Sequence, residues 1–415
     1  MGLGKLGLPV ALAIESKGHD VKGYDVNSKI KDYVLMRKVP YREQGIEELL
    51  AKTNLKVVSL EEVVDHSDIV FVAVQTPHDP KFEGITRLTD ERKDFDYSYL
   101  INAIKQLSEV LDKKKIEKIV IIISTVLPQT IEEKVKPVMS PRIKLCYNPF
   151  FIAMGTTVPD FLNPEFILFG VDDKEALMKA REFYRTITSA PVYETSIRNA
   201  ELIKVAYNTF IGMKIVFANT IMEICQKTGA DADAVVNGLS LANRRLLSPS
   251  YMYGGMGDGG GCHPRDNIAL SWLSKKLNLK YDFFESLMVA REKQTEYLAN
   301  IIKTYDLPKV ILGKAYKPET NLTVGSPSIL LKNILEEQKI NIKIYDPHID
   351  TDAKDLLKEI TSKPHLYFIG TKHGDFVNFN YANGSVIIDP FRYIPDIDGV
   401  KVVRIGEGKN HTLLE

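Results

Sequence analysis

The glycine spacing at the start of the chain constrains the fold more than any other feature. Residues 2–7 read Gly-Leu-Gly-Lys-Leu-Gly, the pattern GxGxxG, and a helix-like segment, Leu8–Lys17, follows with Gly18 as its expected C-cap. Asp25 ends the next predicted strand, close to the spacing at which an acid meets the ribose 2′-hydroxyl of NAD. The pattern therefore predicts a dinucleotide-binding Rossmann domain that prefers NAD. The alternative is a glycine turn before an ordinary helix.

The strand that should precede this motif is missing from the sequence. Only Met1 stands before Gly2, although the motif normally follows the first and central strand of the sheet. A doubly wound sheet without its middle strand would leave backbone groups unpaired. We therefore expect a chain that extends upstream by one strand, with a protein that lacks this strand as the alternative.

The rest of the chain predicts an α/β protein: two Rossmann-like doubly wound domains joined by a helical middle domain. Residues 1–195 alternate short β-rich and helix-like runs, residues 196–300 contain the long helical segment Ala200–Thr228, and residues 301–415 return to alternation around a helix at Ser326–Glu337. The predicted strands are Val21–Asp25, Ile69–Val74, Ile119–Ser124, Lys144–Cys146, Phe166–Phe169, Lys309–Leu312, Ile342–Tyr345, Leu366–Ile369 and Val386–Ile388.

Composition excludes several classes of protein. Lys plus Arg and Asp plus Glu are equal at 54 each, and the sequence has no basic cluster of the kind that binds a phosphate backbone. We therefore expect no nucleic-acid partner. No apolar run approaches the roughly 20 residues of a membrane span. Three scattered cysteines and no CxxC exclude a disulfide framework and predict a reduced, cytoplasmic protein.

One segment points to an enzyme. Six glycines fall among the eight residues 254–261, and Cys262 follows them at once. Folded proteins accept such glycine density mainly where the backbone adopts positive φ or approaches a ligand closely. Arg265 and exposed loop amides would favour the thiolate form of Cys262, which would suit a covalent nucleophile. The alternative is a flexible turn with a buried, inert cysteine.

Taken together, these residues resemble the UDP-glucose/GDP-mannose dehydrogenase family of nucleotide-sugar 6-dehydrogenases over nearly the whole chain. The likeness runs, in order, through the glycine motif, Val74-Gln75-Thr76-Pro77, Ser124-Thr125-Val126 with Pro128, Asn148-Pro149, Glu201-Leu202-Ile203-Lys204 through Asn208, Asn219, the segment ending at Cys262 with Asp266, Lys317-Pro318 with Thr320, Ser326-Pro327 and Tyr345-Asp346-Pro347.

The resemblance implies that NAD⁺ oxidises the C6 alcohol of a nucleotide sugar, UDP-hexose above all, twice, through a thiohemiacetal and a thioester on Cys262. It also implies a homodimer built on the helix near Ala200–Thr228. The implied catalytic residues are Cys262, Lys204, Asn208, Asp266 and Thr125. NAD is expected at Gly2, Gly4, Lys5, Leu6, Gly7, Asp25, Thr76, Pro77, Ser124, Thr125 and Arg265. The nucleotide sugar is expected at Lys204, Asn208, Arg245 or its neighbour Arg244, Tyr253, Gly257, Gly259 and Lys317.

Three of these residues have alternative interpretations. Lys204 and Asn208 stand four apart on a predicted helix, where they either stabilise an oxyanion at C6 or form an ordinary solvated face. Asp266 is either a general base or the N-cap of a helix over Asn267–Leu277. His263 either accepts a proton near Cys262 or only packs against the loop.

The chain also departs from the family pattern. Phe150 and Met154 stand where the family places carboxylates, and Val324 stands in place of an expected Arg, with Asn321 and Leu322 in place of acids. The lost carboxylates predict slow hydrolysis of a thioester. Two rival functions follow: a two-electron β-hydroxyacid dehydrogenase, which needs no thiol, and a nucleotide-sugar-binding protein without turnover.

Overall fold

The structure is a computed structural model that describes residues 1–77, 79–243, 253–277 and 282–407; within them, the side chains of Thr220, Glu223 and Ile224 are not described. The chain divides into two compact units, one of Met1–Pro77 with Phe95–Tyr207 and one of His78–Asp94 with Asn208–Glu415. No helix in the described ranges has the length and apolar character needed to cross a bilayer.

The first unit is built on parallel strands. A pair, β1 and β2, stands apart from a sheet of order β3-β4-β5-β6-β7. Within this sheet β5 and β6 run antiparallel, whereas its other pairs are parallel. The strands are β1 Lys22–Gly23, β2 Lys56–Val57, β3 Ile69–Val72, β4 Lys118–Ile122, β5 Ile143–Tyr147, β6 Ile167–Val171 and β7 Val192–Thr195. The doubly wound prediction is confirmed, with one antiparallel step that the sequence did not indicate.

Helices cover the strands of the first unit. They are α1 Gly7–Ser16, α2 Lys29–Leu35, α3 Ile46–Lys52, α4 Leu60–His66, α5 Ser98–Lys114, α6 Thr157–Leu162, α7 Lys174–Ile187 and α8 Ile197–Thr228, which continues into the second unit. Gly18 adopts φ +91° just beyond α1, as its C-cap role requires. The side chains of Ser59 and Asp173 cap α4 and α7 by accepting backbone N–H bonds.

A cleft separates β1 from β3. Met1 bridges them: its amino group donates to the Phe71 carbonyl (2.9 Å), and its carbonyl accepts from the Ala73 N–H (2.8 Å). Gly2 N–H donates to the Tyr24 carbonyl (2.8 Å). Beyond these bonds lies a cavity of about 760 Å³, lined by residues that include Val10, Ile14, Val21, Ile69 and Phe71. Met1 and Gly2 therefore connect β3 to the segment after β1 across the cleft.

The second unit holds a five-stranded parallel sheet of order β12-β11-β10-β8-β9. Its strands are β8 Lys309–Leu312, β9 Ile342–Tyr345, β10 Leu366–Ile369, β11 Val386–Asp389 and β12 Lys401–Arg404. Its further helices are α9 Ala232–Ser240, α10 Cys262–Lys276, α11 Phe283–Lys303, α12 Pro327–Glu337 and α13 Lys354–Thr361. Strands β8, β9 and β10 match their predicted bounds, because aliphatic and aromatic residues dominate each of these short runs. The helix predicted from Asn267 instead begins at Cys262. Residues 262–266 are therefore helical, whereas the sequence placed them before the helix.

Candidate active site

The turn at residues 2–7 has the geometry of a dinucleotide cradle. Gly2 adopts φ +84°, and a Cβ at Gly7 would lie 1.8 Å from the Gly2 carbonyl oxygen, so neither position accepts a side chain. At Gly4 the nearest atom to an added Cβ is 4.0 Å away, on Gln75, which leaves the backbone open to a ligand. Helix α1 begins at Gly7, and N–H groups at a helix N-terminus favour phosphate. The turn therefore fits the pyrophosphate of NAD.

The predicted ribose acid is fixed at the end of β1. Asp25 accepts N–H bonds from Leu3 (2.6 Å) and Asn27 (2.8 Å), and the carboxylate is half-buried. Lys5 is exposed and Leu6 half-buried within the same turn. The two accepted bonds hold the carboxylate beside the glycine turn, which is where a ribose-binding acid is needed.

The next two segments predicted to bind the cofactor follow neighbouring parallel strands. Thr76 Oγ1 donates to the Thr125 carbonyl (2.7 Å), and Ser124 Oγ donates to the Val74 carbonyl (2.6 Å). These bonds join the loop after β3, which also carries Pro77, to the loop after β4. Because carboxyl ends of parallel strands share one edge, Thr76, Pro77, Ser124 and Thr125 lie along that edge.

Lys204 and Asn208 lie one turn apart on α8, and both are 6% exposed. The Nζ of Lys204 lies 5.3 Å from the ring centroid of Phe151, within cation–π range. The alternative of a solvated helix face is therefore wrong for both residues. A buried amine or amide interacts more strongly with a nearby charge than an exposed one does, because water does not screen the interaction.

Asn208 contacts another predicted catalytic residue. Its Nδ2 donates to Oδ2 of the fully buried Asp266 at 2.5 Å, and Nε of Arg265 lies 2.9 Å from Oδ1 of the same carboxylate. Since α10 begins at Cys262, Asp266 lies in the second turn of the helix. The N-cap alternative for Asp266 is therefore wrong. Arg265, predicted for the cofactor, pairs with the carboxylate of Asp266.

Cys262 is exposed and opens α10, whereas Cys146 and Cys225 are buried. The thiol therefore stands at a helix N-terminus, where backbone N–H groups and the helix dipole favour an anion. Burial raises the pKa of the Cys146 thiol to about 12 and raises that of Cys225. Of the three thiols, Cys262 is the exposed one, so the alternative of a buried cysteine is wrong. That Cys262 reacts stays a prediction.

The glycines before Cys262 are required by close packing. Gly257 (φ +72°) and Gly259 (φ +104°) would each place a Cβ 2.2 Å from a neighbouring atom, on Pro327 and His263 respectively. Asn219 fixes the loop from α8, donating to the Gly257 carbonyl (2.5 Å) and accepting from the Gly255 N–H (2.7 Å). The loop is thus a tightly packed element.

The histidine after Cys262 packs against this loop. Nδ1 of His263 donates to the Asp258 carbonyl, and the ring covers Gly259. This arrangement supports the packing interpretation of His263, with Nδ1 as the donor because a carbonyl oxygen only accepts.

Two buried acids hold these segments in place but were not predicted as site residues. Asp258 pairs with Nε of Arg291 at 2.7 Å, with both side chains almost fully buried. Glu201 is fully buried and accepts backbone N–H bonds from Gln129 (2.7 Å) and Ile131 (2.8 Å), which ties α8 to the loop after Thr125. Burial raises the pKa of Glu201 to about 7, against the opposing effect of these donors. The sequence signal for Glu201 is its place three residues before Lys204, on the same face of the helix.

The remaining substrate residues are partly placed. Tyr253 is 58% exposed at the start of the loop, and Lys317 is half-buried after β8, with its carbonyl accepting from Thr320 Oγ1 (3.1 Å). Arg244 and Arg245 lie outside the described residues.

Comparison with known proteins matches the chain to one family along nearly all of its length. Three domains of the UDP-glucose/GDP-mannose dehydrogenase family match: the NAD binding domain over residues 1–188, the central domain over residues 198–312 and the UDP binding domain over residues 310–400.

Individual relatives agree with this match but differ in substrate. The chain is 28% identical to a UDP-glucose 6-dehydrogenase of Bacillus subtilis, covering 86% of this chain and 81% of the relative. It is 27% identical to the GDP-mannose 6-dehydrogenase of Pseudomonas aeruginosa, covering 84% and 80%. A UDP-glucose dehydrogenase structure from Pyrobaculum islandicum superposes with a TM-score of 0.84 at 26% identity, over 97% of this chain and 95% of that one.

Proposed function

Because this chain belongs to the UDP-glucose/GDP-mannose dehydrogenase family and is an NAD-dependent nucleotide-sugar 6-dehydrogenase, we propose that it converts the C6 alcohol of a UDP-hexose into a carboxylate through a covalent bond to Cys262. The observation that carries the proposal is the exposed thiol at the start of α10, between a rigid glycine loop and the buried Asp266. Bound NAD⁺ supplies the hydride acceptor for both oxidations.

In the proposed reaction Cys262 acts after the first oxidation. Its thiolate forms a C–S bond to the C6 aldehyde, and the carbonyl oxygen takes a proton to give a thiohemiacetal. The second oxidation removes a hydride from C6 and the hydroxyl proton, leaving a thioester. Water then forms a C–O bond at C6, the C–S bond breaks, and the thiolate leaves.

Asp266 is the proposed proton acceptor and Asn208 its orienting partner. The 2.5 Å bond from Asn208 fixes Oδ2, and the contact with Arg265 fixes Oδ1, so the carboxylate is held in one orientation. A fixed carboxylate accepts a proton without first reorganising. Lys204 is the proposed cation for the oxygen at C6, and Thr125 is proposed to orient water.

The test is to mix the protein with NAD⁺ and separate samples of UDP-glucose, UDP-N-acetylmannosamine and GDP-mannose, and to count NADH formed per sugar consumed. We expect two NADH per UDP-hexose and a uronic acid product. Cys262→Ser should abolish acid formation while sugar and NAD binding persist, because a hydroxyl is a far poorer nucleophile than a thiolate. Cys225→Ala, which changes a buried thiol, is the matched control and should keep turnover.

Three results would contradict the proposal. Full turnover by Cys262→Ser would exclude covalent catalysis, and one NADH per sugar would indicate a two-electron dehydrogenase. Binding of UDP-hexoses without NADH formation would indicate the sugar-binding protein without turnover.

We also propose a homodimer. Phe210 and Phe217 lie seven residues apart on α8, so they share one face, and they are 42% and 47% exposed. Two exposed aromatic rings on one stripe are typical of an interface. Light scattering of the purified chain should give twice the chain mass, and Phe210→Ser with Phe217→Ser should shift it toward the monomer. A monomeric parent protein would contradict the proposal.

A further inference from the structure

A cluster of nitrogen and oxygen ligands lies at the carboxyl edge of the second-unit sheet. It consists of Glu319 after β8, His348 after β9, and His373 with Asp375 after β10. These strands are neighbours in the order β10-β8-β9, so their following loops meet at one edge. None of the four residues has a role in the proposed reaction.

Two distances in this cluster, both from His348, are longer than ordinary hydrogen bonds. Nε2 of His348 lies 3.4 Å from Oε2 of Glu319 and 3.3 Å from Oδ2 of Asp375. These separations exceed the usual N–H···O length of about 2.9 Å. They match the edge of a tetrahedron, about 3.3 Å, that follows from zinc bonds of about 2.0–2.1 Å.

His373 supplies a further ligand to the same centre. Its Nδ1 lies 4.0 Å from Oε1 of Glu319. The same nitrogen accepts the Glu319 backbone N–H at 3.1 Å, and a metal ion bound to Nδ1 would replace this hydrogen bond. One ligand atom each from Glu319, His348 and His373 fit within 4.8 Å of one another. The Glu319 side chain is 61% exposed, so it is free of packing that would prevent the small closing movement a metal requires.

A buried carboxylate already orients His373 as metal sites require. Nε2 of His373 lies 3.2 Å from Oδ2 of Asp346, and both side chains are fully buried. Oδ2 of Asp346 also accepts backbone N–H bonds from Lys314 (2.6 Å) and Ala315 (2.9 Å), which hold the carboxylate in place. A carboxylate that accepts the proton of one ring nitrogen fixes the tautomer, so the other nitrogen keeps its lone pair. Histidines that bind metals usually have such a carboxylate as their second contact.

We propose that Glu319, His348, His373 and Asp375 bind one divalent transition-metal ion of the zinc class. Two imidazole nitrogens and two carboxylates form a ligand set that zinc accepts. The ion would join the loops after three neighbouring strands. Lys317, a residue predicted to bind the nucleotide sugar, lies two residues before Glu319, so the metal would fix its loop.

The experiment measures binding of the metal alone to the full chain. Every protein carries Cys262→Ser, since an exposed thiol binds the same ions. Co²⁺ is titrated first for its visible absorption, and Zn²⁺ is then added to displace it. The variants are His348→Ala, Glu319→Gln and, for the orienting carboxylate, Asp346→Asn. The matched control is His66→Ala, because His66 forms a comparable pair with Asp20, at 3.4 Å, in the first unit.

We expect one ion per chain, with a tetrahedral Co²⁺ spectrum that Zn²⁺ removes. His348→Ala and Glu319→Gln should weaken Zn²⁺ binding at least about 10-fold, Asp346→Asn about 10–100-fold, and His66→Ala should not change it. Glu319→Gln keeps the test valid if a buried variant fails to fold, because Glu319 is mostly exposed. Absence of stoichiometric binding to the parent protein, or an unchanged affinity in Glu319→Gln, would overturn the proposal.

Discussion

The side-chain amide of Asn208 donates to the buried carboxylate of Asp266 at 2.5 Å, joining α8 to the second turn of α10. Two residues predicted as separate catalytic groups are thus one hydrogen-bonded pair. The amide holds the carboxylate in one orientation, as a proton acceptor requires.

Asp266→Asn should therefore lower kcat about 10²–10⁴-fold, the usual contribution of a general base, while the Kd of NAD stays unchanged. Asn208→Ala should lower kcat less, because the carboxylate remains and loses only one donor. Steady-state kinetics and NAD titration measure both effects. Asn199→Ala, on an exposed position of the same helix, is the control. A kcat of Asp266→Asn within twofold of the parent would exclude Asp266 as the base.

Hydrolysis of the Cys262 thioester is expected to be the slow step. Phe150 packs against Phe161 with ring centroids 5.5 Å apart, and Met154 is half-buried; neither side chain activates water. Rapid mixing should show a burst of up to two NADH per active site followed by slower release. Intact mass should show an adduct on Cys262.

A carboxylate restored at Met154 should speed the slow phase. We predict faster steady-state turnover for Met154→Glu than for Met154→Gln, which has the same size but cannot act as a base. A linear time course without an adduct in the parent protein would show that Asp266 and Thr125 suffice, or that the chemistry is not covalent.

Glu201 is expected to make stability depend on pH. Burial raises its pKa from 4.5 to about 7, so the folded state holds a proton that the unfolded state releases. The stabilisation is complete below pH 4.5 and is lost as pH rises through about 7. At about 1.4 kcal/mol per pKa unit, the change approaches about 3 kcal/mol.

The measurement compares thermal midpoints of the parent protein and Glu201→Gln across this pH window. Gln replaces one acceptor oxygen with a donor, so the variant is less stable throughout. The informative quantity is the slope with pH, which should be smaller for Glu201→Gln. Equal slopes in the two proteins would show that Glu201 does not titrate there.

The cleft between β1 and β3 predicts that an added strand stabilises the first unit. Five apolar residues fused before Met1 should bury their side chains in the cavity of about 760 Å³ and pair with both neighbouring strands. Each fully buried aliphatic side chain contributes about 1.5–3 kcal/mol before the cost of ordering the chain. We expect a rise in thermal midpoint of about 5 °C and tighter NAD binding. A Gly-Ser extension of equal length is the control, and equal midpoints for the two fusions would contradict the prediction.

Much of the fold was predictable because the strands are buried. Strands β8, β9 and β10 are runs of four residues dominated by β-branched, aliphatic and aromatic side chains, and this short length and composition favour strands over helices. Strand β7 was missed because most of its residues are exposed at the edge of its sheet, so burial leaves no pattern in the sequence. The antiparallel pairing of β5 with β6 was missed because direction depends on the path of the chain between strands.

The sequence by itself determined the family, the α/β class, NAD as cofactor, and the residue types at the site, because chemistry restricts which side chains serve at each motif. Only the tertiary structure decided what those residues contact. It showed that α10 begins at Cys262, which makes Asp266 an interior residue of the helix, and that Lys204 and Asn208 are buried. It also brought Asp258 to Arg291 and His348 to Glu319. Burial and long-range contacts depend on how distant segments pack, and local sequence patterns do not encode that packing.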